Sequence, residues 1–282
     1  MLTAKRLNVL CVVCGPFFCE AQKKHGDFTA MIAHALANAG VVQAQVQLRS
    51  IDIRRGDRLP PAAEVDAVIF SGSVPDVDDS PFVVDACAWI CEHLCKQQSS
   101  GGAAGANGDL VNTMGVPMLG LCYGHQLLGC ALGGQVGDLK PEGEFGTRVA
   151  TFTEDAFTDP LCKALIETVT KADQGNPVLV NLSHNQTVLQ LPRGAVSLMR
   201  TVTEPHQLVR FAPLTYGTQF HPEFTYEFLM DGVHEFEWTE ADKEAFVRSL
   251  QPTPIAERVI PEFVKLVALL RGVNLDIRLS ES

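Results

Sequence analysis

The sequence predicts an α/β protein: a mostly parallel, doubly wound sheet covered on both faces, with further helices at the C-terminus. Three observations predict it. Short apolar runs alternate with helical patterns through the first half of the chain. One such run ends in a glycine-flanked cysteine and passes directly into a helical pattern, a strand–turn–helix junction. Of the 282 residues 46% are apolar, enough for a sizeable core, yet nothing approaches the roughly 18 uninterrupted apolar residues of a membrane span.

Leu7–Val13 has the length and composition of a buried first strand and leads to a Gly15-Pro16 turn. Lys5-Arg6 before the apolar stretch to Phe18 has the outline of a signal peptide, but Asn8 and Gly15-Pro16 interrupt it. Asp27 is placed to cap a helix over Phe28–Ala39. A second strand over Val42–Leu48 precedes a polar segment and Leu59-Pro60-Pro61; Val65–Phe70 is a third, entering the turn Ser71-Gly72-Ser73. A helix over Pro81–Cys95 is followed by a stretch at about 97–109, rich in Ser, Gly, Ala and Asn, that reads as a flexible insertion. The apolar run ending in Val116-Pro117-Met118-Leu119 is the fourth strand, and Leu127, Leu128, Ala131 and Leu132 mark the helix after it.

Beyond that helix the pattern is strand-rich, over Thr147–Phe152, Val178–Leu182, Ala195–Arg200, Leu208–Phe211 and Leu214–Phe220. After Glu223 it is helical. Thr239 caps a helix to about Leu250, and Thr253-Pro254 opens another that ends at Arg271-Gly272 and that Pro261 should kink or split. One domain over residues 1–224 with a helical extension over 225–282 packed on it is therefore expected.

With 22 basic against 33 acidic residues the net charge is −11, which argues against a nucleic-acid or anionic-membrane surface. Nine cysteines in a chain of this length suit free thiols in a reducing compartment, so a cytoplasmic location is expected. Cys11-Val-Val-Cys14 lies inside the first strand rather than at a helix start, away from redox or metal work. Cys87, Cys91 and Cys95 share one helix face and read as a core stripe. No metal site and no cofactor are expected.

Two motifs carry chemistry. Gly120-Leu121-Cys122-Tyr123-Gly124-His125-Gln126 has the pattern of a nucleophile elbow, a turn so tight that only glycine leaves room around the nucleophile. The helix that follows presents its N-terminal amides to the sulfur. By itself the pattern is equally a buried cysteine in a glycine turn. Tyr216-Gly217-Thr218-Gln219-Phe220-His221-Pro222-Glu223-Phe224 answers it, with His221 at a strand end and Glu223 two residues on. A catalytic histidine needs a carboxylate to hold its tautomer, although His-Pro-Glu alone reads as a surface turn. In a doubly wound sheet the carboxyl ends of parallel strands gather at one crevice, and Cys122 and His221, both just past expected strand ends, are therefore expected to come together there.

Together these motifs resemble the class I, or triad-type, glutamine amidotransferases. Three further segments fit the resemblance: Phe70-Ser71-Gly72-Ser73-Val74-Pro75 with Asp78-Asp79-Ser80-Pro81-Phe82; Gly133-Gly134-Gln135-Val136 with Glu142 to Gly146; and Leu182-Ser183-His184. The match runs in order from about residue 7 to 224, and is strongest to stand-alone members related to the amidotransferase domain of GMP synthetase, including gamma-glutamyl peptidases. It implies a flavodoxin-like class I amidotransferase fold, with Cys122 as nucleophile, His221 as base and Glu223 as its orienting group. It also implies an oxyanion hole from Tyr123 and the Gly72–Ser73 turn, and a glutamine pocket containing Gln126, Ser183 and His184.

Two positions depart from the family pattern. Ser73 stands where a second glycine is usual, and Asn185-Gln186 where Gly-Asp is frequent. His125 is expected on the elbow-helix surface or behind the site, and His206 on a surface loop. Fifty-nine residues follow Glu223, too few for an ATP-dependent synthetase, and no Walker-type glycine loop occurs. Three readings follow: a glutaminase that hands ammonia to a separate synthetase or acceptor chain, a gamma-glutamyl peptidase or hydrolase, and an idle binding or regulatory module. The substrate is expected to be glutamine or a gamma-glutamyl compound, without nucleic acid or membrane.

Overall fold

The computed structural model describes residues 5–77, 80–95, 115–167 and 177–275. The expected insertion at 97–109 and Asp78-Asp79 lie outside the described residues.

The first half of the chain builds parallel strands. β1 (Leu7–Val13), β2 (Val46–Asp52), β3 (Ala67–Phe70) and β4 (Met118–Leu121) are joined by α1 (Cys19–His25) and α2 (Phe28–Asn38) and by α3 (Pro81–Cys95). α4 (Tyr123–Ala131) follows β4 with only Cys122 between them. The second half contributes β5 (Gln135–Asp138), β6 (Glu144–Phe152), α5 (Pro160–Glu167), β7 (Val178–His184), β8 (Gln186–Gln190), β9 (Val196–Arg200), β10 (Leu208–Ala212) and β11 (Thr215–Thr218). It closes with α6 (Tyr226–Gly232), α7 (Glu240–Ser249) and α8 (Val259–Leu270).

The large sheet has the order β2-β1-β3-β4-β11-β10-β9-β6-β7. Its β2-β1-β3-β4-β11 half is parallel, and the remaining ladders are antiparallel. The α/β sheet expected from the sequence is present, and the strand-rich stretch forms its antiparallel flank except for β11, which joins the parallel half. β5 and β8 make a separate two-stranded sheet. Its strands escaped the sequence reading because Gln135–Asp138 is half-exposed and polar, without an apolar alternation.

The period-two alternation of β1 explains the two-sided burial. Leu7, Val9 and Cys11 face a core built with Phe28, Ile32, Phe224, Phe228 and Phe263. Leu10, Val12 and Cys14 face the other, with Ile90 from α3 and Leu127 and Leu128 from α4. Burial pushes the Cys11 thiol up to about 12 and Cys14 higher still, which suits packing rather than redox work. The expected cysteine stripe of α3 is half-buried: Cys91 donates to the Ala131 carbonyl at 2.9 Å, and the Cys95 side chain lies outside the described residues.

Several boundaries differ from the sequence reading for local reasons. α2 ends in a Schellman motif, with Gly40 at φ 74 and amides of Gly40 and Val41 bonded to Ala37 and Leu36 carbonyls, so β2 starts after Val42 rather than at it. Leu214 sits at φ 55, and β11 begins only beyond it. Pro261 neither kinks nor splits a helix. A 3-10 turn over Ala256–Arg258 precedes α8, and Pro261 falls in its first turn, where no intrahelical donor is needed. α5, unpredicted, is capped by Asp159, whose Oδ1 accepts from the amides of Leu161 and Cys162.

Candidate active site

Three neighbouring parallel strands converge on one end of the sheet. Val68–Phe70 of β3 pair with Met118–Gly120 of β4, and Thr215–Thr218 of β11 pair with Met118–Leu121 on its other side. The residues just past these strand ends are therefore neighbours: the Gly72–Ser73 turn, Cys122, and Gln219 to His221.

Cys122 adopts φ 49, ψ −96 at the N-cap of α4, a conformation rare for a residue with a side chain. The flanking glycines make it possible. A Cβ on Gly120 would lie 2.3 Å from the Gly124 backbone, and one on Gly124 would lie 2.4 Å from the Phe70 carbonyl oxygen. Helix and strand thus approach closer than any side chain allows. The Cys122 amide bonds to the Thr218 carbonyl at 2.7 Å, which ties the turn to β11. The Cys122 side chain is buried, its sulfur 3.9 Å from the Ser183 carbonyl.

The His221 Nδ1 lies 2.8 Å from Glu223 Oε1, with both side chains fully out of solvent. The His221 amide donates to the Asn181 carbonyl, and its ring stacks on Phe224 at 4.0 Å between centroids with Phe17 tilted against it. Gly72 completes the enclosure, since a Cβ there would lie 3.0 Å from His221 Cε1. Burial alone would lower the imidazole, but the Glu223 carboxylate and the Cys122 sulfur outweigh it and hold His221 up at about 10. Its Nε2 has no hydrogen-bond partner among the described residues, although the Cys122 sulfur is near enough to act on its charge.

A cleft of about 100 Å³ opens over Cys122, lined among others by Ser73, Gln126, Ser183, His184, Asn185 and Phe145. That is small beside the roughly 300–1,000 Å³ of a drug-sized ligand site, and suits a short polar side chain. In the turn that edges it, the Val74 amide is engaged with the Pro16 carbonyl, which leaves Gly72 and Ser73 to supply a donor. Ser73 keeps a negative φ, and its Oγ fills the space beside Gly15, where a Cβ would lie 2.1 Å away.

Behind the cleft lies a buried polar layer that sequence reasoning largely missed. Gln126 donates to the Gln186 carbonyl at 2.8 Å and to Gln219 Oε1 at 3.2 Å. Gln219, fully buried, donates to the Cys122 sulfur at 3.5 Å. His184 turns Nδ1 to the same Gln186 carbonyl at 3.0 Å and Nε2 to Glu144 at 3.4 Å. Burial pushes Glu144 up, but bonds from His184, Thr203 and Thr201 outweigh it and hold its carboxyl below the usual range. Gln207 also donates to Glu144, at 2.6 Å. Asn181, polar between the apolar Val180 and Leu182 of β7, donates to the Phe224 carbonyl and so fastens the His221–Phe224 turn. That polarity was the available signal for it. His125 is not on the surface. It is fully buried against Gly217 and Phe211, and burial lowers it to about 3, so it is neutral. His206 is half-buried. No metal-holding cluster occurs among the described residues, and no helix there is long and apolar enough to cross a membrane.

A family description of class-I glutamine amidotransferases matches residues 24–228. The chain is 33% identical over 161 residues to the glutamine-hydrolysing GMP synthase of Shewanella sediminis, covering 56% of this chain and 29% of that protein. It is 40% identical over 126 residues to the same enzyme of Shewanella pealeana, covering 42% and 22%. The chain thus spans under a third of these curated relatives. Among solved structures, a glutamine amidotransferase from Thermotoga maritima superposes with a TM-score of 0.66 at 18% identity, over 93% of this chain and 98% of the other. One from Methylobacillus flagellatus does so at 0.62 and 19%, over 99% of both. These two likenesses concern the fold.

Proposed function

The chain belongs to the class I glutamine amidotransferase family, and from that premise we propose that it cleaves a glutamine-type side-chain amide through a thioester on Cys122. The observation that carries this reading is the strained Cys122 turn facing a buried His221–Glu223 pair across adjacent strand ends. The Cys122 thiol gives its proton to His221 Nε2, and the sulfur bonds to the amide carbon. The resulting oxyanion is met by backbone amides, one from Tyr123 at the start of α4 and one from the Gly72–Ser73 turn. The carbon–nitrogen bond breaks as His221 returns the proton to the departing nitrogen, releasing ammonia. Water, deprotonated by the same imidazole, then opens the thioester and frees glutamate. Glu223 holds the Nδ1 proton throughout and stabilises the imidazolium. Gln126, Ser183 and His184 form the pocket for the glutamyl portion.

The relatives are named as glutamine-hydrolysing GMP synthases, and by analogy the ammonia goes to a synthetase or acceptor on a separate chain. A diazo-ketone analogue of glutamine tests the reading. One adduct on the Cys122 peptide is expected, with glutamate release abolished in step with labelling. Labelling at Cys11, Cys14 or Cys91 instead ends the proposal.

One observation favours a second reading, hydrolysis of gamma-glutamyl conjugates. A further cleft of about 370 Å³, lined by Trp238, Phe246, Arg148 and Glu142, shares Phe145 and Asn185 with the Cys122 cleft. It offers room across Phe145 and Asn185 from the Cys122 cleft for a leaving group larger than ammonia.

A further inference from the structure

The buried amides behind Cys122 have an orientation that can be worked out from one backbone atom. The Gln186 carbonyl oxygen only accepts hydrogen bonds, so the group of Gln126 at 2.8 Å from it is the NH₂. That nitrogen also lies 3.2 Å from the Gln219 side chain, which must therefore turn its oxygen to Gln126. The other end of the Gln219 amide is then its NH₂, and it points at the Cys122 sulfur, 3.5 Å away. The opposite orientation would set two NH₂ groups against each other at a buried contact. Gln219 is also fixed from its own backbone, whose N–H donates to the Gln207 carbonyl at 2.9 Å, and Gln207 in turn donates to Glu144.

From this chain of donors we infer that Gln219 is a further catalytic residue, an N–H donor that stabilises negative charge on the Cys122 sulfur, with Gln126 as the positioning residue that sets its amide. The inference rests on the reading of Cys122 as nucleophile. Its consequence is that the thiolate has two supports. The imidazole of His221 takes the proton, and Gln219 holds the charge left behind. A donor matters more here than in water, since Cys122 and Gln219 are both buried. The sequence contained the residue inside the His221 motif without any sign of this role, because a glutamine at a strand end reads as ordinary polarity.

The test is the pH dependence of Cys122 alkylation by iodoacetamide, followed on the Cys122 peptide by mass spectrometry in the full chain. Gln219→Leu removes the donor, and the alkylation profile should move to higher pH. Gln219→Glu keeps the shape but places a carboxylate against the sulfur, and its shift should be larger. Gln126→Leu, which no longer dictates the Gln219 orientation, should give a smaller shift. Should the leucine variant fail to fold, the near-isosteric glutamate variant carries the test. A folded Gln219→Glu protein with the wild-type alkylation profile overturns the inference while leaving Cys122 as nucleophile. Wild-type Cys122 reacting no faster than an exposed cysteine such as Cys130 overturns both.

Discussion

At the scale of single residues, the candidate site is made of side chains that tolerate little change. His221→Ala is expected to lower turnover by several orders of magnitude, since the thiol then lacks the group that accepts its proton. Glu223→Ala should cost less, because that carboxylate orients rather than transfers. Steady-state kinetics on folded variants decide it, and a larger loss for Glu223→Ala would reverse the assignment. The same pair makes a pH prediction. The folded His221 is held above its ordinary 6.5, at about 10, chiefly against burial and by Glu223. Its contribution to stability is therefore full below about pH 6.5 and lost as pH rises towards about 10. Glu223→Gln removes the Glu223 share of that contribution, so the difference in melting temperature between wild type and variant should be largest near pH 6 and shrink on the alkaline side. A difference that grows with pH contradicts the charge assignment.

At the scale of elements, the turns matter more than the strands they end. Gly124→Val puts a branched side chain where even a Cβ lies 2.4 Å from the Phe70 carbonyl oxygen, so activity, folded yield or both should collapse. A fully active, equally stable variant refutes the elbow geometry. The turns after β1 and β3 make a subtler case. Gly15→Ala drives a methyl to 2.1 Å from Ser73 Oγ, a clash expected to cost about 1–3 kcal/mol. Ser73 Oγ has no hydrogen-bond partner among the described residues, so Ser73→Gly loses little and should rescue Gly15→Ala in a double-mutant cycle measured by denaturant unfolding. Additive effects would mean that the two turns do not touch in solution. These elements also show what a sequence displays. β1, β3 and β4 were legible because buried parallel strands are apolar on both faces. Cys122, His221 and Glu223 were legible because glycine and histidine punctuate strand ends. Gln219, Glu144 and Asn181 were not, since a buried polar group is recognised by its partners, and these come from strands far apart in the chain. β2 slipped by four residues because a Schellman cap is set by φ at Gly40 and not by hydrophobic period.

At the scale of the whole molecule, the two readings of the Cys122 site differ in what leaves when the proposed amide bond breaks. The match to proteins named as glutamine-hydrolysing GMP synthases covers 22–29% of their length. A free glutaminase would consume glutamine without a product to show for it, so an ammonia donor is expected to idle until a partner or acceptor completes its site. A hydrolase of gamma-glutamyl conjugates needs no such gate. Its leaving group would instead occupy the cleft beyond Phe145 and Asn185. The purified protein should therefore show weak glutaminase activity or strong gamma-glutamyl hydrolysis, and not both strongly. The measurement is glutamate release from glutamine and from a panel of gamma-glutamyl peptides, with no added protein. Trp238→Ala serves as the internal control, since it should slow only substrates whose leaving group reaches the second cleft. Fast, unstimulated turnover of free glutamine contradicts the gated-donor reading. Equal losses on every substrate in Trp238→Ala contradict the conjugate reading. No turnover of any substrate, with Cys122 inert to the diazo-ketone, would leave a fold kept for binding.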